Sequence, residues 1–177
     1  VLYDIDLASA QEQLDRRNAR YFAGCLHTRD HWRLFRTFGP RALYLDIETT
    51  GLSAHEGQVT IVGLYRQGRL RTLISDDDLT LGVIQEELDQ ADLLITFFGS
   101  VFDIPYLQTC FKGLRVSIPH FDLCFAARRV GLQGGLQPDG EDGLGVGLGE
   151  RADLHGCLVW IRHKRGMVTV QAESSPG

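Results

Sequence analysis

The chain has 177 residues, of which 44% are hydrophobic and 23% charged, and a formal net charge of −5. That length suits one folded domain with a sizeable core, and the acidic balance argues against a protein that grips nucleic acid through one broad basic face. No apolar run approaches the roughly 20 residues of a membrane helix. The N-terminus VLYDIDLASA has no signal-peptide pattern, and Cys25, Cys110, Cys124 and Cys157 form no CxxC pair, so a cytoplasmic protein with free thiols and no membrane partner is expected. The sequence does not begin with Met, which suits a piece of a longer chain.

In chain order, residues 9–22 read as an amphipathic helix, with Ser9 and Glu12 at capping-box spacing. A short helical piece is expected over Asp30–Arg36, ended by Phe38-Gly39-Pro40. Strands follow at ALYLDIE (42–48), QVTIVGLYRQG (58–68) and RLRTLIS (69–75), the last two forming a hairpin near Gly68. Leu81, Ile84 and Leu88 keep helical spacing; DLLITFF (92–98) reads as a buried strand. A helix over about 101–111, HFDL (120–123) and a helix to about Val130 complete the regular part. Three meandering strands followed by helix-connected strands predict an α/β fold, a mixed sheet flanked by helices. Residues 131–149 contain eight glycines and read as a loop. CLVWIR (157–162) is compatible with strand or short helix, MVTV (167–170) with strand, and QAESSPG with a frayed tail.

The stretch LYLDIETTGLS (43–53) carries the chemistry. In a strand, residues i and i+2 share a face about 6.5–7 Å apart, so Asp46 and Glu48 project together. Two like charges side by side are costly unless a cation neutralises them, and the hard ions Mg²⁺ or Mn²⁺ do so through oxygen ligands. Thr49-Thr50-Gly51 ends the strand in a turn whose amides and hydroxyls suit a phosphate or terminal nucleotide. Pro105 belongs in the first turn of a helix, which places Asp103 at that helix's N-terminus. There it is either an N-cap or a third carboxylate facing the same cleft at a strand end. Three converging carboxylates fit two-metal phosphodiester hydrolysis.

These stretches resemble a known family. DIETTG (46–51) is similar to the first exonuclease motif of the DnaQ-like, DEDD-type nucleases of the ribonuclease-H-like fold, and TFFGSVFDIPYL (96–107) to the second. YFAGCLHTRDHWRLF (21–35), HFDLCFAARRVGLQGGL (120–136) and ERADLHG (150–156) resemble the YprB-type subgroup. The resemblance covers about residues 20–136 and fragments to about 166; with the helical reading of the N-terminus, the expected domains are a helical extension over 1–40 and a ribonuclease-H-like domain over 41–177, with an atypical Gly-rich segment at 131–149 and a divergent C-terminus at 167–177. The resemblance implies a 3′→5′ exonuclease acting on DNA or RNA with two Mg²⁺ or Mn²⁺ ions. Asp46, Glu48 and Asp103 would be catalytic residues and metal ligands; Thr49, Thr50, Gly51 and Leu52 would cradle a 3′-terminal nucleotide. Asp122 stands at an acidic position behind them, and a helicase or repair factor is the candidate partner.

Two departures stand out. Phe98 occupies a position where relatives often carry Asn. The family's third motif, a carboxylate with His five or Tyr four residues before it, has no counterpart among Asp139, Glu141, Asp142, Glu150, Asp153 and Glu173. Asp153, His155 and His163 are weak stand-ins. A catalytically degenerate protein that binds nucleic acid or a partner without turnover is therefore the alternative reading. Cys25, His27 and His31 do not have a zinc-site spacing. The clusters RRNAR (16–20), Arg128–Arg129 and RHKR (162–165) are solvated faces or phosphate contacts, and Phe97, Phe98, Phe102 and Tyr106 are core, with Phe98 or Tyr106 available for base stacking if exposed.

Overall fold

The computed structural model describes residues 6–129, 160–164 and 167–171. The helix expected over 9–22 is two helices. The first, α1, runs Leu7–Asp15, and its N-cap is Asp6, whose carboxylate accepts from the amides of Ala8 and Ser9. Asp6 thus takes the capping role that the Ser9–Glu12 spacing suggested. Arg17 adopts a left-handed φ of 54° and breaks the chain. Asn18 then caps α2 (Ala19–Cys25) by accepting from the Tyr21 amide. A 3₁₀ helix (Thr28–Leu34) leads into the single turn α3 (Phe35–Phe38) and a 3₁₀ turn at Gly39–Arg41 holding Pro40.

The sheet follows: β1 (Ala42–Thr49), β2 (Val59–Arg66), β3 (Arg69–Ile74), α4 (Leu81–Asp89), β4 (Leu93–Thr96), α5 (Asp103–Cys110), β5 (His120–Asp122) and α6 (Leu123–Arg129). Its strand order is β3-β2-β1-β4-β5. The first three strands are antiparallel, whereas β4 runs parallel to β1 and to β5. Gln67 and Gly68, both left-handed at φ 51° and 78°, close the β2–β3 hairpin with the twist such turns favour.

Alternation along β1 serves two cores. Leu43, Leu45 and Ile47 pack with Ile84 and Leu88 of α4 and with Ile104 and Leu107 of α5. Ala42, with Tyr44 beside it, faces the opposite side and packs with Phe22, Leu34 and Phe38 from the N-terminal helices. Isolated helices under about 12–15 residues are marginal in water, so these short helices depend on burial, about 1.5–3 kcal/mol for each fully buried apolar side chain. Parity then puts Asp46 and Glu48 on the second face, beyond the reach of the N-terminal helices' core.

β5 is a three-residue edge strand, and the 3₁₀ helix covers it. The buried His31 accepts the His120 amide through Nδ1 at 3.0 Å. His120 Nε2 meets Thr96 Oγ1 at 2.8 Å. This arrangement occupies an edge amide that would otherwise be open to pairing. Burial pushes the His31 pKa down and that of His120 down to about 4.

A second compact unit, Leu132–Gly177, contains the antiparallel pair β6 (Trp160–Lys164) and β7 (Met167–Gln171), with Trp160 opposite Gln171. The Gly-rich stretch 131–149, Asp153 and His155 lie outside the described residues. No described helix is long and apolar enough to cross a membrane.

The buried imidazole sets a pH dependence. With a folded pKa near 4 against an ordinary value of 6.5, His120 supports folding fully above pH 6.5 and loses that support as pH falls towards 4. His120→Gln is expected to remove about 2–3 kcal/mol of this acid sensitivity. Urea denaturation of both proteins at pH 7.5, 5.5 and 4.5 measures it; parallel curves would exclude the buried neutral imidazole.

Candidate active site

β4 accompanies β1 only from Ala42 to Tyr44. Beyond that, β1 continues against β2 alone, with a bulge between Glu48 and Thr49. The flank vacated by β4 is taken by a side chain: the Ile47 amide donates to Asp103 Oδ1 at 3.2 Å. This bond sits between Asp46 and Glu48 in the chain and brings the third carboxylate against the strand that carries the other two.

Local sequence explains how Asp103 gets there. Pro105 is tolerated because it lies in the first turn of α5, which begins at Asp103 itself. The N-cap is Phe102, with no side-chain capping bond. Of the two roles open to Asp103, the carboxylate reaches across to β1. Gly99 makes room for it: a Cβ there would lie 2.7 Å from Asp103 Oδ2 and 2.6 Å from Thr96 Oγ1, closer than packed atoms allow.

The electrostatics follow from burial. Asp103 is only 4% exposed. Desolvation, then the charge of Asp46, pushes its pKa up to about 7, against the opposing effect of its own amide and that of Ile47. Desolvation, then Glu48, pushes Asp46 up to about 6. Two largely buried acids that repel one another are costly for the fold, and a hard cation is the kind of group that relieves such repulsion. Among the described residues, no group of three or more His, Cys, Asp or Glu side chains is placed to hold a metal ion as it stands. The donor chemistry, carboxylate oxygens on one strand face and another at a helix start, is of the kind that hard ions take.

The turn after β1 is tied down by its own hydroxyls. Thr49 Oγ1 donates to the Gly51 carbonyl at 2.8 Å, Thr50 Oγ1 accepts the Gln58 amide at 2.9 Å, and the Thr50 amide returns to the Gln58 carbonyl at 3.0 Å. Leu52, 91% exposed, projects from this turn.

Asp122 has a different environment. Its carboxylate accepts from the Phe98 amide (2.9 Å), the Ser100 amide (2.9 Å), Ser100 Oγ (2.6 Å) and the Cys124 amide (3.1 Å). It anchors the 97–102 turn that delivers Asp103. Sequence reasoning missed this anchoring and the role of Gly99; the acid-plus-Ser pattern across 22 residues is too remote to read, whereas Gly99 inside TFFGSVFDIPYL was a visible signal. His27 Nδ1 accepts the Arg29 amide and His31 Nδ1 the His120 amide, so those ring nitrogens serve the 3₁₀ helix and the sheet edge.

A five-stranded mixed sheet in this order, flanked by helices and bearing acids at the C-terminal end of its central strand, is the ribonuclease-H-like α/β fold. A family model, the RNase_H superfamily, matches residues 43–160, and the chain belongs to that superfamily. No curated protein matches the chain. Among solved structures it is similar to Brucella melitensis NrnC bound to pGG (21% identity, TM-score 0.44, 58% of this chain and 52% of that one). It is also similar to the Aedes aegypti Nibbler EXO domain (14% identity, TM-score 0.43, 57% and 52%). A third is the family B DNA polymerase of Pyrobaculum calidifontis (16% identity, TM-score 0.40, 47% of this chain and 15% of that one). The chain thus spans about half the length of the first two.

The raised pKa of Asp103 gives a sign that can be checked. A carboxyl that holds its proton to about pH 7 when folded, against 3.8 ordinarily, costs stability as pH rises through that window. Asp103→Asn is therefore expected to be more stable than the parent by about 2–4 kcal/mol at pH 8, the gap closing by pH 4. Adding Mg²⁺ should raise the parent's Tm and leave that of Asp103→Asn unmoved. Thermal denaturation with and without the ion reads both, and a less stable variant at pH 8 would contradict the electrostatic account.

Proposed function

We propose that the chain is a metal-dependent nuclease of the DnaQ-like, DEDD type, nearest in its motifs to the YprB subgroup. On this reading it trims DNA or RNA from a 3′ end. The observation that supports it most is the Ile47–Asp103 bond, which draws the Asp103 carboxylate to the strand that carries Asp46 and Glu48. Asp46, Glu48 and Asp103 would hold Mg²⁺ or Mn²⁺, and the repulsion among them is the charge that two such ions neutralise. Bound there, divalent ions supply a water of lowered pKa and a counter-charge for the leaving oxygen. The protein's own part is positional. The Thr49–Thr50–Gly51 turn and exposed Leu52 hold the terminal nucleotide, and the Asp122-anchored turn keeps Asp103 in place. A helicase or repair factor that exposes single-stranded ends is the partner this reading fits.

One observation favours a slower enzyme or a binding scaffold. No carboxylate past Asp122 carries the family's His or Tyr spacing. Without a positioned base, turnover would fall by about 10²–10⁴-fold relative to a complete site.

A 5′-labelled single-stranded oligonucleotide with Mn²⁺ is expected to shorten stepwise from its 3′ end, and Asp46→Ala to reduce the rate at least 100-fold. Denaturing gels over hours resolve even slow trimming. Binding without any Asp46-dependent shortening would leave the scaffold reading and remove the enzyme.

A further inference from the structure

The carboxylates are not the only built feature at this end of the sheet. A cleft of about 450 Å³ opens between the 3₁₀ helix Thr28–Leu34 and α6, alongside the end of β5. Its lining includes Arg29, Trp32, Asp122, Phe125, Arg128 and Arg129. In a chain of net charge −5 this concentration of arginines is local. Asp122 is already engaged by three amides and a hydroxyl, and Asp30 pairs with Arg29 and Arg33 at 3.6 Å, which leaves Arg128 and Arg129 in excess at the cleft.

The aromatics are arranged as a platform. Phe98 stacks on Phe125 with ring centres 6.1 Å apart and planes at 29°. The Arg128 guanidinium lies 5.6 Å from the Phe125 ring centre. Opposite, Trp32 is 43% exposed, and Arg33 stands 4.8 Å from the centre of its indole ring. Phe98 is 39% exposed and sits at a left-handed φ of 63°, a conformation that bulky residues rarely adopt. An exposed aromatic held in a strained position is poor packing and a good stacking surface.

The cleft is placed to serve the acids. β1, β4 and β5 run parallel, so their C-terminal ends share one end of the sheet. Two strand spacings, about 10 Å, separate β1 from β5. The 97–102 turn joins the two features, since Asp122 anchors it on the cleft side and it delivers Asp103 on the other.

We propose that this cleft is the track for the single-stranded nucleic acid leading to the carboxylates, with bases stacked on Trp32 and on the Phe98–Phe125 platform and phosphates held by Arg29, Arg128 and Arg129. It rests on the nuclease reading for its direction but not for its chemistry. Stacking on aromatics with flanking arginines is tolerant of sequence and favours unpaired bases over a duplex. Part of the substrate site then belongs to the N-terminal extension, through Arg29 and Trp32.

The test is fluorescence anisotropy of a labelled 12-mer in EDTA, where hydrolysis does not intervene, on the full chain and on Trp32→Ala, Phe125→Ala and Arg128→Ser. Each aromatic variant is expected to bind about 5- to 150-fold more weakly with an unchanged salt slope. Arg128→Ser should lower the slope of log affinity against log salt by about one. Trp32 and Arg128 are surface residues, so their variants remain informative if Phe125→Ala fails to fold. Affinity and slope within twofold of the parent for both surface variants would overturn the proposal, as would equal affinity for a duplex or displacement of the strand by poly-glutamate at equal charge. Strand binding lost in these variants without any Mn²⁺-dependent hydrolysis by the parent would keep the cleft and sink the nuclease; hydrolysis with unaltered binding in the variants would do the reverse.

Discussion

The hydrogen bond from the Ile47 amide to Asp103 Oδ1 is the constraint on which this site depends. It exists because β4 stops accompanying β1 at Tyr44, leaving a flank of the central strand without a backbone partner. A buried amide must find an acceptor, and here the acceptor is an acid from the start of the next helix. The same contact that satisfies the backbone draws a third negative charge towards Asp46 and Glu48. The backbone's need for an acceptor and the position of the third acid thus meet at a single atom pair.

That arrangement works against folding. Desolvation and mutual repulsion raise Asp46 and Asp103 well above ordinary carboxylates, and each pKa unit corresponds to about 1.4 kcal/mol between protonation states. The sheet tolerates this because it is cored on both faces. Leu43, Leu45 and Ile47 anchor one side of β1, while Ala42 and Tyr44 anchor the other with Phe22, Leu34 and Phe38. The acids follow directly on the residues that hold the strand most firmly. A strand packed on one face only would have more freedom to twist them apart. The N-terminal helices contribute by fixing the strand's other end.

Much of this was legible in the sequence, because the signals are local. Alternation in ALYLDIE placed Asp46 and Glu48 on one face, and Pro105 bounded the start of α5. The order of elements, the strand-rich character of residues 42–75 and the helix through Leu81, Ile84 and Leu88 followed from periodicity alone. What escaped is long-range or conformational. Arg17 in a left-handed conformation splits the first helix, and no residue type there announces it, since Arg is a good helix former. Asp6 outcompetes Ser9 as a cap because its carboxylate accepts two amides at once. The His31–His120 contact joins residues 89 apart, and three of the four bonds to Asp122 depend on a turn folding back 22 to 24 residues. Nothing in a linear pattern specifies such pairings.

The turn at Phe98 shows how the two halves of the site constrain one another. Its carbonyl accepts from the amides of Val101 and Phe102, and Gly99's carbonyl from that of Ile104, so this turn sets the entry of α5 and hence the aim of Asp103. An Asn would adopt the left-handed conformation of residue 98 with less strain than an aromatic. Phe98 gives up that ease and stacks on Phe125 instead. The compensation is mechanical as well as apolar, since the stacked pair and the Phe98 amide on Asp122 fix the turn from two sides. Strain in the backbone, an aromatic surface and the position of an acid are thus three consequences of one residue choice. Local pressure to relax that residue would be felt at Asp103, five residues on.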